Sequence, residues 1–156
     1  MPEVPALLQP VAHSLLQCRE ELGAALAGLT PQQLWQRPND AASIGFHARH
    51  AAGSLDRLLT YARGELLSPA QLAALAAEDT PDLTAGAAAA LAAAFDAAVE
   101  RALVQLRATM ESTLLEPRGV GRARLPSTVL GLLFHAAEHT QRHVGQLVTT
   151  VKVIGR

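Results

Sequence analysis

The sequence predicts an all-α protein, a four-helix bundle, on three observations. Hydrophobic residues make up 49% of the 156 residues but aromatics only 3%, and much of the apolar content is alanine, the best helix former. Runs of the β-branched and aromatic residues that favour strands are scarce. Apolar residues recur at helical spacing in four long windows, bounded by capping residues or by glycine and proline. One domain over residues 1–156 is the simplest reading, with roughly 68–70% of the unfolded surface buried.

A first helix is expected from about Pro5 to Ala27, with Leu7, Leu8, Val11, Leu15, Leu22 and Leu26 as its stripe and Gly28 as its stop. Thr30-Pro31-Gln32-Gln33 has the form of a capping box with proline at the first helical position, opening a short helix through Trp35. Trp35, the only tryptophan, is expected to plug one end of the core. Arg37-Pro38-Asn39-Asp40 breaks the chain.

Ser43 caps a second long helix, about Ile44 to Arg63, closed by Gly64. At about 100° per residue, Arg49, Asp56 and Arg63 mark its solvent side. Ile44, Phe46, Ala51, Leu55 and Leu58 share the opposite side with His47, His50, Ser54 and Tyr61. Leu67-Ser68-Pro69-Ala70-Gln71 opens another short helix to about Ala77, and a link over 78–83 follows.

The third long helix is expected from near Thr84 to about Leu115, with Leu91, Phe95, Val99, Leu103 and Leu106 running through its alanine tract. About twenty residues separate it from the second, enough for an up-down-down-up path. Residues 116–122 read as a loop. Arg118, Arg122 and Arg124 there could draw an anionic substrate, although a solvated loop is the simpler reading. Ser127 caps the fourth helix, about Thr128 to Val148, whose apolar arc is wide enough for a second buried face and hence a homodimer.

A formal net charge of −1 with mixed signs offers no basic face for nucleic acid. The single cysteine, Cys18, rules out an internal disulfide and reads as a small apolar residue of the first helix. No stretch reads as a signal peptide or a membrane span, and the expected compartment is the cytoplasm. His13 stands alone and reads as a surface or packing residue.

Five of the six histidines fall in two windows, His47 with His50 and His135 with His139 and His143. The latter three, at i, i+4 and i+8, share a helix face roughly 80° wide. A lone inward imidazole reads best as a hydrogen-bonded core residue; five in two windows read as a metal site. Three nitrogen ligands without a carboxylate suit zinc or nickel, with a position left for water. Glu138 reads as the ion-pair partner of Arg142, four residues on, rather than as a ligand.

Ser43-Ile44-Gly45-Phe46-His47-Ala48-Arg49-His50, together with His135-xxx-His139-xxx-His143-Val144-Gly145-Gln146, resembles the DinB/YfiT-like family of metal-dependent proteins. Leu29 to Pro38 resembles that family's inter-helix segment, so the likeness spans nearly the whole chain. It implies an up-down-down-up four-helix bundle, often dimeric. It also implies metal ligands at His50, His139 and His143. His47, Ser54, His135 and Gln146 are then pocket candidates, with Gln146 placed to orient a ligand. The family often has arginine directly after its last histidine; Val144 stands there in this chain, with Arg142 on the other side.

The resemblance implies one of several activities, since the family includes S-transferases using low-molecular-weight thiols such as bacillithiol and a mycothiol-dependent isomerase. A thiol S-transferase is the leading expectation. The alternatives are a hydrolase using metal-bound hydroxide and a non-catalytic metal-binding stress-response protein.

Overall fold

The structure, a computed structural model, describes residues 3–121 and 123–155. It is mostly helical. Helix α1 (Gln9–Leu26) follows a 3-10 turn at Ala6–Leu8. Gly28, at φ +77°, takes the left-handed conformation that turns the chain out of α1. The capping box then forms as expected. The Thr30 hydroxyl accepts from the Gln33 N–H and the Gln33 side chain accepts from the Thr30 N–H, which starts α2 (Pro31–Trp35).

The Ser43 hydroxyl accepts from the Phe46 N–H and starts α3 (Ile44–Ala62). A second capping box, Ser68 with Gln71, starts α4 (Pro69–Ala76). Helices α5 (Ala87–Ala108) and α6 (Val129–Ile154) complete the set among the described residues.

The long helices form a bundle around one core. Helix α3 packs against α5 and α6, and α1 packs against the same two. Leu15 and Leu22 from α1, Ile44 and Leu55 from α3, Phe95 and Leu106 from α5, and Leu132 and Leu133 from α6 are all essentially sealed from solvent. On α5 the alanine tract keeps its stripe, with Ala87, Ala98 and Ala102 buried between the larger side chains. Cys18 is also sealed, and its thiol donates to Gln141 Oε1 on α6 at 2.9 Å.

Between α5 and α6 the structure departs from the all-helical expectation. Strands β1 (Pro117–Val120) and β2 (Leu125–Thr128) pair antiparallel, with Arg118 opposite Ser127. Helix α5 stops seven residues short of Leu115. Buried Leu114 must turn back to the core, and the carbonyls of Leu114 and Glu116 accept from the N–H groups of Leu130 and Val129. The hairpin turn uses two left-handed residues, Gly121 at φ +66° and Arg124 at φ +48°.

Strand pairing continues through Thr128, so α6 begins only at Val129 and Thr128 rather than Ser127 is its cap, the hydroxyl accepting from the Gly131 N–H at 3.0 Å. Helix α6 also runs six residues past Val148. The Thr149 and Thr150 hydroxyls bond back to the carbonyls of Gly145 and Gln146 instead of breaking the helix, and Gly155 follows it at φ +74°.

The connection from α3 to α5 lies over α3 like a strap. None of the residues of α4 is buried, so polar contacts hold it. Gln71 Nε2 donates to Asp56 Oδ2 and Thr60 Oγ1. Arg49 donates to the carbonyls of Ala77 and Thr80 and stacks over Trp35 at 4.6 Å. The Trp35 indole N–H donates to the Asp82 carbonyl at 2.9 Å. Arg49 is therefore half-buried in a clasp, not a solvated charge, and Trp35 is only partly buried against the core. Among the described residues no helix is long and apolar enough to cross a membrane.

Candidate metal centre

The two histidine windows meet where α3 packs on α6. His50 Nε2 lies 3.0 Å from His139 Nε2. The His50 and His143 rings are 4.3 Å apart, centroid to centroid, and those of His139 and His143 4.6 Å. One nitrogen from each of His50, His139 and His143 lies within 4.8 Å of the other two. A tetrahedral zinc ion with Zn–N bonds near 2.05 Å asks for nitrogens about 3.3 Å apart, so small ring rotations bring this set to coordination distance. Three close imidazoles so arranged could hold a divalent metal ion.

Behind His50 stands a carboxylate. His50 Nδ1 donates to Glu78 Oε2 at 2.7 Å, and Arg57 Nη1 donates to Glu78 Oε1 at 2.8 Å. Glu78 and Arg57 are 5% and 8% exposed, so this is a buried ion pair. Burial pushes the Glu78 carboxyl upward. The hydrogen bonds from His50 and Arg57 and the Arg57 charge outweigh it, and hold the group below its ordinary range. A carboxylate on the far nitrogen fixes both the tautomer and the orientation of a coordinating imidazole.

Gly53 makes the arrangement possible. A Cβ there would stand 2.6 Å from Arg57 Nη1 and 2.7 Å from Glu78 Oε1. Phe46 stacks on the His50 ring at 5.4 Å and 16°, fixing it further.

The other rings are held by near neighbours. His143 Nδ1 lies 3.1 Å from His47 Nδ1, and Arg142 Nη2 lies 3.0 Å from His139 Nδ1. Burial, then the charge of His50, pushes both His139 and His143 down to about 4, with Arg142 adding to each. His47 is lowered for the same two leading reasons. All three are therefore uncharged near pH 7, the form that binds a metal.

These shifts fix a pH dependence for the metal-free fold. A histidine whose pKa is depressed by folding takes up its proton in the unfolded state first, so stability holds above about 6.5 and drains away as pH falls towards about 4. Thermal melts of the metal-free protein should show Tm falling through that window. A flat Tm between those limits would contradict the shifts.

Of the remaining candidates, His47 is buried against His143. His135 is half-exposed, bonded to Glu138 Oε2 at 3.1 Å, with its ring 5.5 Å from that of His139. Glu138 thus has His135 as its nearest partner, with Arg142 at 3.5 Å. Ser54 is buried and its hydroxyl donates to the Ala51 carbonyl of its own helix. Gln146 is exposed, on the rim of a cleft of about 630 Å³ that also touches His47, Arg142, Gly145 and Thr149.

Arg118 is not free to draw a substrate. It donates to the carbonyls of Ala62 and Pro117 and to Glu116, tying the hairpin to the end of α3. Arg124 lies in the hairpin turn, and Arg122 is outside the described residues.

Glu78 and Arg57 escaped the sequence reading. Glu78 looked like one more acid in a polar link. Arg57 carried a usable signal: it lies ten residues after His47, seven after His50 and three after Ser54, on the inward stripe of α3. A guanidinium on a buried stripe demands a carboxylate.

No curated protein matches the chain. The DinB superfamily's sequence model matches residues 14–147. That stretch runs from within α1 to late α6 and takes in both histidine windows, so the chain belongs to the DinB superfamily.

Proposed function

We propose that this protein is a metal-dependent S-transferase working with a low-molecular-weight thiol of the bacillithiol type, and that His50, His139 and His143 hold its metal, zinc or nickel. The observation that carries the reading is the convergence of three imidazole nitrogens with a buried carboxylate behind one of them. A nitrogen-only donor set suits those ions. A metal so bound supplies Lewis acidity that favours the deprotonated form of a thiol.

The chain's own residues do the rest. Glu78 holds the Nδ1 hydrogen of His50 and aims its Nε2. His47 lies at hydrogen-bond distance from the outer nitrogen of His143. The cleft beside His47 and Gln146 is the proposed seat of the small substrates. His135, its ring 5.5 Å from that of His139, and buried Ser54 on the inward stripe of α3 are the further pocket residues of this reading.

The test is thiol consumption with a haloaromatic electrophile, using zinc-loaded protein and a panel of bacillithiol, mycothiol and glutathione. A metal-dependent rate above the thiol alone is expected with at least one thiol, and no such rate with any of them overturns the reading. Turnover of a parallel ester panel without thiol would point to hydrolysis instead. If chelation lowers Tm while both panels stay silent, the site is a non-catalytic one.

The same proposal takes the chain as a single domain, residues 1–156, with an up-down-down-up path, a cytoplasmic location and a homodimer. The α1–α6 face supports the dimer: Phe134 is 65% exposed there, beside a groove lined by Pro10, Val11 and Ser14. Sedimentation as a monomer at micromolar concentration would remove it.

A further inference from the structure

Two of the three clustered histidines suit coordination in the tautomers their partners allow, and the third does not. Glu78 is a carboxylate that only accepts, so His50 carries a hydrogen on Nδ1; its Nε2 is the acceptor wherever the facing Nε2 of His139 carries the hydrogen, and then holds the lone pair. His143 Nδ1 can donate to His47 Nδ1, which again leaves Nε2 open. His139 is set the other way. A guanidinium only donates, so the contact from Arg142 Nη2 puts the lone pair of His139 on Nδ1. Its hydrogen then sits on Nε2, directed at the Nε2 of His50 3.0 Å away. A doubly protonated ring would offer Arg142 no acceptor, so the contact itself requires neutral His139. The donors run in one direction: Arg142 to His139 to His50 to Glu78, with Arg57 closing the far end.

A neutral imidazole binds a metal through one nitrogen and keeps its hydrogen on the other. If Nε2 of His139 takes the ion, the hydrogen moves to Nδ1 and faces the Arg142 donor. If Nδ1 takes it, the lone pair that Arg142 uses is gone. The contact fails either way. The geometry points to Arg142 as a metal-coupled latch that holds His139 in the non-coordinating tautomer until an ion displaces it. The inference rests on the reading that His50, His139 and His143 hold the metal.

No proton is released overall, because the hydrogen that leaves Nε2 is replaced from water at Nδ1. The Arg142 side chain is 53% exposed and can move without unpacking the core, and Glu138 Oε1, already 3.5 Å from its guanidinium, can keep it as a partner.

Histidine ring ¹⁵N NMR and zinc affinity test this together. In the metal-free protein His139 should carry hydrogen on Nε2, and zinc should transfer it to Nδ1. By chelator competition, Arg142→Met should bind zinc about 3- to 10-fold more tightly than the wild type, the worth of one hydrogen bond that no longer has to break. The gain should persist in about 1 M salt, where charge effects are screened within about 3 Å.

A metal-free wild type with hydrogen already on Nδ1 of His139, an unchanged affinity in Arg142→Met, or a gain that vanishes in salt each overturns the latch while leaving the metal site intact. Zinc binding by neither protein overturns the metal reading and the latch with it.

Discussion

His139→Ala should purify without stoichiometric metal, while the wild type carries about one divalent ion per chain. His139 forms one corner of the cluster, its ring 5.2 Å from that of His50 and 4.6 Å from that of His143, centroid to centroid. Its removal leaves two imidazoles on different helices and no third donor to fix the geometry. The loss should exceed the roughly 10- to 100-fold seen when only an outer partner of a ligand is removed. Elemental analysis after exhaustive dialysis measures it. His135→Ala is the control, because His135 is half-exposed and paired with Glu138, and it should retain its metal. His139 is only partly buried, so the variant should fold. Equal metal in wild type and His139→Ala would sink the site assignment.

Glu78→Ala should be the most damaging single change outside the three ligands, in two separable ways. First, it strands the Arg57 guanidinium, whose side chain is 10% exposed. Removing one partner of a buried ion pair costs about 3–5 kcal/mol because the other charge stays buried and unpaired. Denaturant unfolding of the metal-free protein measures this. A loss under about 1 kcal/mol would mean that Arg57 reaches water.

Second, His50 loses the acceptor on Nδ1 and with it the fixed tautomer, which should weaken metal binding by roughly 10- to 100-fold. Glu78→Gln separates the effects. An amide oxygen still accepts from one partner but brings no charge, so affinity should fall less than in the alanine variant.

Much of the site was legible because a helix writes its faces into the chain at fixed spacing. His135, His139 and His143 share a face by period alone, and the inward side of α3 could be counted from Arg49, Asp56 and Arg63. Both Gln33 and Gln71 announced their capping boxes three residues after a hydroxyl. What stayed hidden depends on contacts between distant segments. Glu78 meets His50 across 28 residues, and nothing local distinguishes it from Asp79. The hairpin lacks an Asn-Gly or Asp-Gly turn, and its strands pair four residues each. Arg49 counted as solvent-facing by angle, but the strap that covers it comes from a segment whose docking no periodicity encodes.

The buried thiol has a practical corollary for any experiment with electrophiles. Cys18 is the chain's only cysteine, fully enclosed, bonded to Gln141, and raised by burial to about 12. Thiolate is the reactive form, so the folded protein contributes almost no alkylation background of its own. Covalent labelling at this position therefore clocks excursions to open states, giving an internal gauge of kinetic stability without an added probe.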